Sequence, residues 1–152
     1  MPESAFGFKK PEHSPGFLLW QTMVTWQRLI KKALDEQGVS HAQFVILAIL
    51  LWFEENHIEP NQVLIVNRSR LDKMTVSKSL KSLAQQGFVK RAEHEKDTRA
   101  KSVRLTDKGR AMAAKLAPLV EKVDAEFFSG IRPADRKSLI KILGGLISTI
   151  KD

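Results

Sequence analysis

Leu71 to Gly109 reads LDKMTVSKSLKSLAQQGFVKRAEHEKDTRAKSVRLTDKG, and its period changes twice. From Asp72 to Gln86 the apolar residues Val76, Leu80 and Leu83 fall on one helical stripe, and Gly87 stands just past the end as a stop. Phe88 to Glu93 and Ser102 to Thr106 then alternate as strands do, joined by a charged tip from His94 to Lys101. Thr106 is a candidate N-cap, with Asp107 in the first turn of a further helix. A helix, a stop, a two-stranded ribbon and a new helix therefore follow one another without a gap.

The outer face of that first helix is polar. Turning about 100° per residue from Val76 brings Met74, Ser77, Lys78, Lys81 and Gln85 to the opposite side, with Thr75 and Ser82 at its margin. Such a face suits a DNA major groove: Lys reaches phosphates or guanine edges, Ser and Thr adapt to either, and Met touches a thymine methyl. Lysines are also the commonest solvated helix face, so the helix alone leaves both readings open. The ribbon favours the first, because a polar-faced helix followed by a basic hairpin is a winged helix-turn-helix arrangement. In the tip, Asp97 and Arg99 stand two apart, spaced either for a local ion pair or for an Arg99 that enters a minor groove while Asp97 holds its stem. An exposed pair of this kind contributes only about 0–1 kcal/mol to stability, so positioning is its more useful role.

Charge agrees. The chain carries 25 Lys and Arg against 17 Asp and Glu, and the whole excess of +8 lies between Arg68 and Arg110; the rest balances. A surface of one sign concentrated in the middle of a short chain is the footprint of a protein that meets a polyanion. At 152 residues and 43% hydrophobic content the chain has the size and composition of a packed single domain. It has no apolar run of membrane-spanning length and no signal-like start, which predicts a cytoplasmic protein with no membrane partner. The absence of cysteine removes disulfides, thiolate metal sites and thiol redox sensing.

Outward from the quoted stretch the elements are helical. Residues 1–14 have no period and read as an N-terminal arm. Phe17, Leu18, Trp20, Met23, Val24, Leu29, Ile30, Ala33 and Leu34 recur near helical spacing up to Gly38. Ser40 and Gln43 form a capping box opening a second helix, Ala42 to about Glu55, apolar almost all round and so expected to be buried. Val63 to Val66 has strand propensity, but Pro60 suits a helix's first turn, and helix is the preferred reading. After Thr106 a long helix should be kinked or interrupted at Pro118, and a last helix begins near Pro133. The fold class is thus mainly α with a small β-ribbon.

From Leu71 through Gly109, in order and at family spacing, the residues Leu71-Asp72-Lys73-Met74-Thr75-Val76-Ser77-Lys78-Ser79-Leu80, then Leu83, then Gly87-Phe88-Val89-Lys90-Arg91, then Asp97-Thr98-Arg99, and finally Leu105-Thr106-Asp107-Lys108-Gly109 closely resemble the MarR family of transcriptional regulators. The resemblance implies a homodimer in which residues 15–38 and 107–152 interlock and residues 40–106 form a winged helix-turn-helix lobe on a pseudo-palindromic operator of double-stranded DNA. Carried over, Lys73, Thr75, Ser77, Lys78 and Lys81 are groove or phosphate contacts and Arg99 is the wing contact. Two departures stand out. Ser69-Arg70 occupies the place of a Leu-Gly-like turn and adds charge toward DNA through Arg70; Ala100 replaces a second wing arginine, which shifts weight to Lys96 and Lys101. The pattern itself supports a dimer, since three further long apolar stripes are most economically buried against a second copy, although packing within one chain would also cover them.

The resemblance also implies a repressor with a small-molecule effector site between dimer helices and lobe, which Trp20, Trp26 and Phe44 would line; otherwise these are ordinary core or interface aromatics. His13, His41, His57 and His94 form no close ligand pair, so no metal and no cofactor are expected. No nucleophile elbow, phosphate-cradling glycine loop or placed acid–base couple is present, which argues against an enzyme. Gly144-Gly145 sits in a helical pattern and favours close helix packing. The rival readings are a winged-helix protein-interaction module and a constitutive architectural DNA binder without a ligand.

Overall fold

A computed structural model of the chain describes residues 3–94 and 97–150, with backbone alone described for 93, 94 and 97–101. After a single 3-10 turn at Pro11–His13 come α1 (Pro15–Asp35), α2 (His41–Glu55), α3 (Gln62–Ser69), α4 (Lys73–Gln85), β1 (Val89–His94), β2 (Asp97–Leu105), α5 (Asp107–Phe128) and α6 (Pro133–Thr149). Side-chain caps start most of the helices. Ser14 accepts from the Phe17 amide ahead of Pro15, Asn61 from Leu64, Asp72 from Thr75 and Thr106 from Gly109. Ser40 and Gln43 form the full reciprocal capping box, each side chain bonded to the other's amide at 3.1 Å.

The core lies where α1, α2, α4 and α5 meet the ribbon. Ile30 and Leu34 of α1, Ile46 and Leu47 of α2, Ile65 of α3, Val76, Leu80 and Leu83 of α4, Val103 of β2 and Leu116 of α5 are all fully buried. As its composition predicts, α2 is the central element, burying Phe44, Ile46, Leu47, Leu50 and Phe53. The stretch around Val63 to Val66 is helical: Asn61 caps it and a left-handed residue, Arg70, closes it. Local capping here overrides β-branched propensity.

Two expectations needed correction. β2 begins at Asp97 rather than Ser102, because the antiparallel ladder resumes past an irregularity between Ala92 and His94 to pair His94 with Asp97, so the strand extends into the expected tip. And α5 runs uninterrupted through Pro118. Pro118 is exposed, so the carbonyl that loses its amide partner lies on the solvent side.

At the other end of the ribbon the register pairs Val89 with Leu105, Lys90 with Arg104 and Arg91 with Val103. Asn61 bridges to Ser102, and the Val103 amide donates to the Pro60 carbonyl at 3.4 Å, which ties the entry of α3 to the ribbon. Gly109 fixes the far side: a Cβ there would lie 1.9 Å from the Phe88 carbonyl oxygen, so α5 can approach β1 only with glycine at that point. Gly87, at φ +80°, supplies the left-handed turn from α4 into β1.

Candidate nucleic-acid interface

The second helix of the α3–α4 pair is held from three sides. Val76, Ser79, Leu80 and Leu83 face the core. At its start the Asp72 carboxylate accepts from the Thr75 amide and the Thr75 hydroxyl, both at 2.7 Å. The Thr75 hydroxyl and amide hold the Asp72 carboxyl below its usual range. At its end Lys108 donates to the Gln86 carbonyl at 2.8 Å while its ammonium sits 4.9 Å from the Phe88 ring centre. That cation satisfies a terminal carbonyl and complements the negative end of the helix. Laterally, the Gln43 amide donates to Ser82 Oγ at 3.0 Å, and Gln86 donates to the same oxygen at 3.1 Å. The Lys108 and Gln43 supports were not singled out from the sequence, because these residues lie 22 and 39 positions from their partners.

What remains outside is the face expected from the period. Lys73, Lys78, Lys81 and Gln85 are exposed, Ser77 is half-buried, and Met74 is 67% exposed, a large apolar side chain kept in water on an otherwise polar helix. Thr75 is half-buried, with its hydroxyl bound to Asp72. Arg70 forms the left-handed end of α3 at φ 63°, and its guanidinium donates to the Ile147 and Ile150 carbonyls at 3.3 and 3.4 Å. Beside it, the Arg68 guanidinium stacks over Trp52, 4.4 Å from the ring centre.

On the ribbon, Lys90 and Arg104 are directly opposed like charges, both exposed, and Arg104 is offset by an ion pair with Glu59. Asp97, Arg99 and Lys101 belong to β2 by their backbone, and Lys96 lies outside the described residues. Arg110, at the start of α5, binds both Glu54 of α2 and Asp107, and those carboxylates raise its pKa.

The three aromatics read as ligand-lining candidates stand in different settings. Trp20 is 59% exposed on α1, Phe44 is in the core, and Trp26 is half-buried, donating from Nε1 to Asp124 of α5 at 2.8 Å. His41 packs edge-on against Trp26, ring centres 5.1 Å apart, and its burial lowers its pKa. Among the described residues, no group of three or more His, Cys, Asp and Glu side chains is placed to hold a metal ion. No described helix is long and apolar enough to cross a membrane.

A lysine-faced helix packed on α3, with a basic ribbon at its C-terminal end, defines a winged helix-turn-helix DNA-binding protein. A family model for ArnR1-like winged-helix domains matches residues 35–123. The chain is 35% identical over 122 residues to YdcH, an uncharacterised HTH-type transcriptional regulator of Bacillus subtilis, a match covering 80% of this chain and 83% of that protein. Its fold is that of a MarR-family regulator from Silicibacter pomeroyi, with TM-score 0.75, 24% identity and 93% of each chain covered. It is likewise that of BpsR from Bordetella bronchiseptica, whose DNA binding is regulated by 6-hydroxynicotinic acid, with TM-score 0.82, 23% identity and coverage of 95% of this chain and 100% of that one. The chain belongs to the ArnR1-like winged-helix family of HTH-type transcriptional regulators, with the fold of the MarR-family regulators.

Proposed function

We propose that the chain works as a homodimer that represses transcription by occupying a pseudo-palindromic operator and leaves it when a small ligand binds. The observation that carries the reading is the outer face of α4, where Lys73, Met74, Lys78 and Lys81 are presented to solvent by a helix fixed at both ends and along its side. In this reading residues 40–106 are the DNA-binding lobe. Lys73, Thr75, Ser77, Lys78 and Lys81 meet the groove and its phosphates; Arg99, positioned by Asp97 and aided by Lys96 and Lys101, meets the adjacent minor groove. Arg70, expected from the sequence to add charge toward DNA, instead directs its guanidinium to the Ile147 and Ile150 carbonyls.

Residues 15–38 and 107–152 supply the dimer. α6 buries none of its residues against the rest of the described chain. Ile140 and Ile142, about 200° apart around the helix, are 67% and 59% exposed, so more than one side of α6 needs covering. The N-terminal half of α1 exposes Phe17, Leu18, Leu19 and Trp20. Apolar helices of this length left open in one copy are most simply covered by the same helices of a second. A concavity lined by Gln27, Lys31, Asp35 and His41, where α1 meets α2, lies at the junction of dimer helix and lobe and supports the ligand part of the reading.

Selection from a random duplex library tests the reading. Recovery of one sequence with two inverted half-sites, about one DNA turn or a multiple apart, is the expected result. Recovery of no common sequence contradicts it and favours the architectural or protein-interaction readings.

A further inference from the structure

We propose that Arg70 is a positioning residue: by capping the C-terminal end of α6 it sets the angle of the DNA-binding lobe relative to the dimerisation helices, and so the half-site spacing the protein accepts. The inference rests on the dimeric DNA-binding reading above.

The turn between α3 and α4 passes through Arg70 at φ 63°, ψ 10°, a left-handed conformation that glycine or asparagine adopts with far less strain. An arginine kept in such a place points to a task for its side chain. That side chain reaches 77 and 80 residues along the chain, Nη2 to the Ile147 carbonyl and Nη1 to the Ile150 carbonyl. These belong to the last turn and the C-cap of α6. Terminal helix carbonyls carry the helix's partial negative charge and have lone pairs to spare: besides Arg70, the Ile147 oxygen accepts from the Ile150 amide of the C-cap, at 3.3 Å, and the last turn of α6 has no basic residue of its own. A guanidinium, planar and always charged, presents two parallel donors to such a pair of oxygens where a lysine would present a single point.

The link joins elements that otherwise scarcely meet, because α6 buries none of its residues against the described chain. On the lobe side the turn is stiff. The Arg70 amide donates to the Val66 carbonyl at 3.0 Å, Ser69 Oγ accepts from the Leu71 amide at 3.2 Å, and Asp72, two residues on, is the N-cap of α4. A shift of the end of α6 is thereby delivered to the start of the recognition helix. In a two-fold dimer both lobes are set by the same link, and their separation sets the half-site spacing.

The test compares wild-type protein with Arg70→Gly and Arg70→Asn, substitutions that suit the left-handed turn and remove the fork. Duplexes carry the selected half-sites at their native spacing and with one base pair added or removed. Discrimination between native and altered spacing is expected to fall by about tenfold in both variants, within the ordinary range of coupling between sites, with the salt slope unchanged. Without DNA, amide exchange at residues 146–150 is expected to quicken while exchange in α2 stays as it was. Unaltered spacing discrimination with a salt slope lower by about one unit would make Arg70 a phosphate contact and overturn the proposal. Unchanged exchange at the end of α6 would overturn it too. Wild-type protein that does not distinguish the selected site from scrambled duplex would instead strike at the dimeric DNA-binding reading, and the proposal would fall with it.

Discussion

A methyl group at position 109 would sit 1.9 Å from the carbonyl oxygen of Phe88, a backbone atom with nowhere to go. Gly109→Ala is therefore expected to force α5 away from β1 and destabilise the fold by about 1–3 kcal/mol or more, read as a lower urea midpoint; an unchanged midpoint would show that the junction adjusts freely. The glycine was quoted from the sequence as part of a motif, but its reason is a distance across the fold. Lys78 is the opposite kind of residue, with its role legible from a turn of about 100° per position and its exposure in agreement. Replacing it with Ala should leave stability within about 0.5 kcal/mol, weaken DNA binding and lower the salt slope by about one unit. Retained affinity and slope would remove Lys78 from the interface. Met74 shares that face, 67% exposed, and in the proposed reading its thioether would meet a thymine methyl.

Helix ends carry most of the information at the level of elements. Ser40 with Gln43 and Thr106 were readable as N-caps and the structure uses each, while Asp72, read as the first residue of its helix, is the cap of α4. What the sequence left unread are links between different elements: Gln43 to Ser82, Lys108 to Gln86, Trp26 to Asp124 and Arg70 to α6, which join residues 22 to 98 positions apart. Periodicity and spacing describe neighbours along the chain and say nothing of these. The start of β2 was misplaced for a related reason, since ladder pairing past an irregularity needs no side-chain alternation. His41 opens α2 half-buried against Trp26, with its pKa lowered by that burial, so its charged form is disfavoured in the folded protein. Its contribution to stability is then complete above the usual imidazole range and is lost as pH falls through that range to the lowered value. Urea midpoints at pH 8 and pH 5 should fall further for wild-type protein than for His41→Gln. Equal declines would mean that His41 is not the group responsible.

In the molecule as a whole, a closed core and an open apolar surface stand side by side. α2 is enclosed as its composition predicted, whereas α6, which also carries a run of Leu and Ile, buries none of its residues within the described chain. Sequence reading saw surplus apolar stripes but left open whether one chain could bury them; the exposure of Ile140, Ile142 and Leu146 favours a second copy. Ile140→Glu with Leu143→Glu should shift sedimentation from dimer toward monomer and abolish site-specific binding, because each lobe alone meets only one half-site. A variant that remains dimeric would place the interface elsewhere. The proposed ligand release would act by linkage: a molecule that prefers a lobe spacing unsuited to DNA would weaken DNA binding by the same coupling energy with which DNA weakens its own binding. The central claim is site-specific recognition through the basic face, and fluorescence anisotropy on the selected operator and on a scrambled duplex, across several salt concentrations, tests it most directly. The account predicts a preference of roughly a thousandfold or more for the operator, with a steep negative salt slope on both duplexes. Equal, weak binding to the two would contradict it.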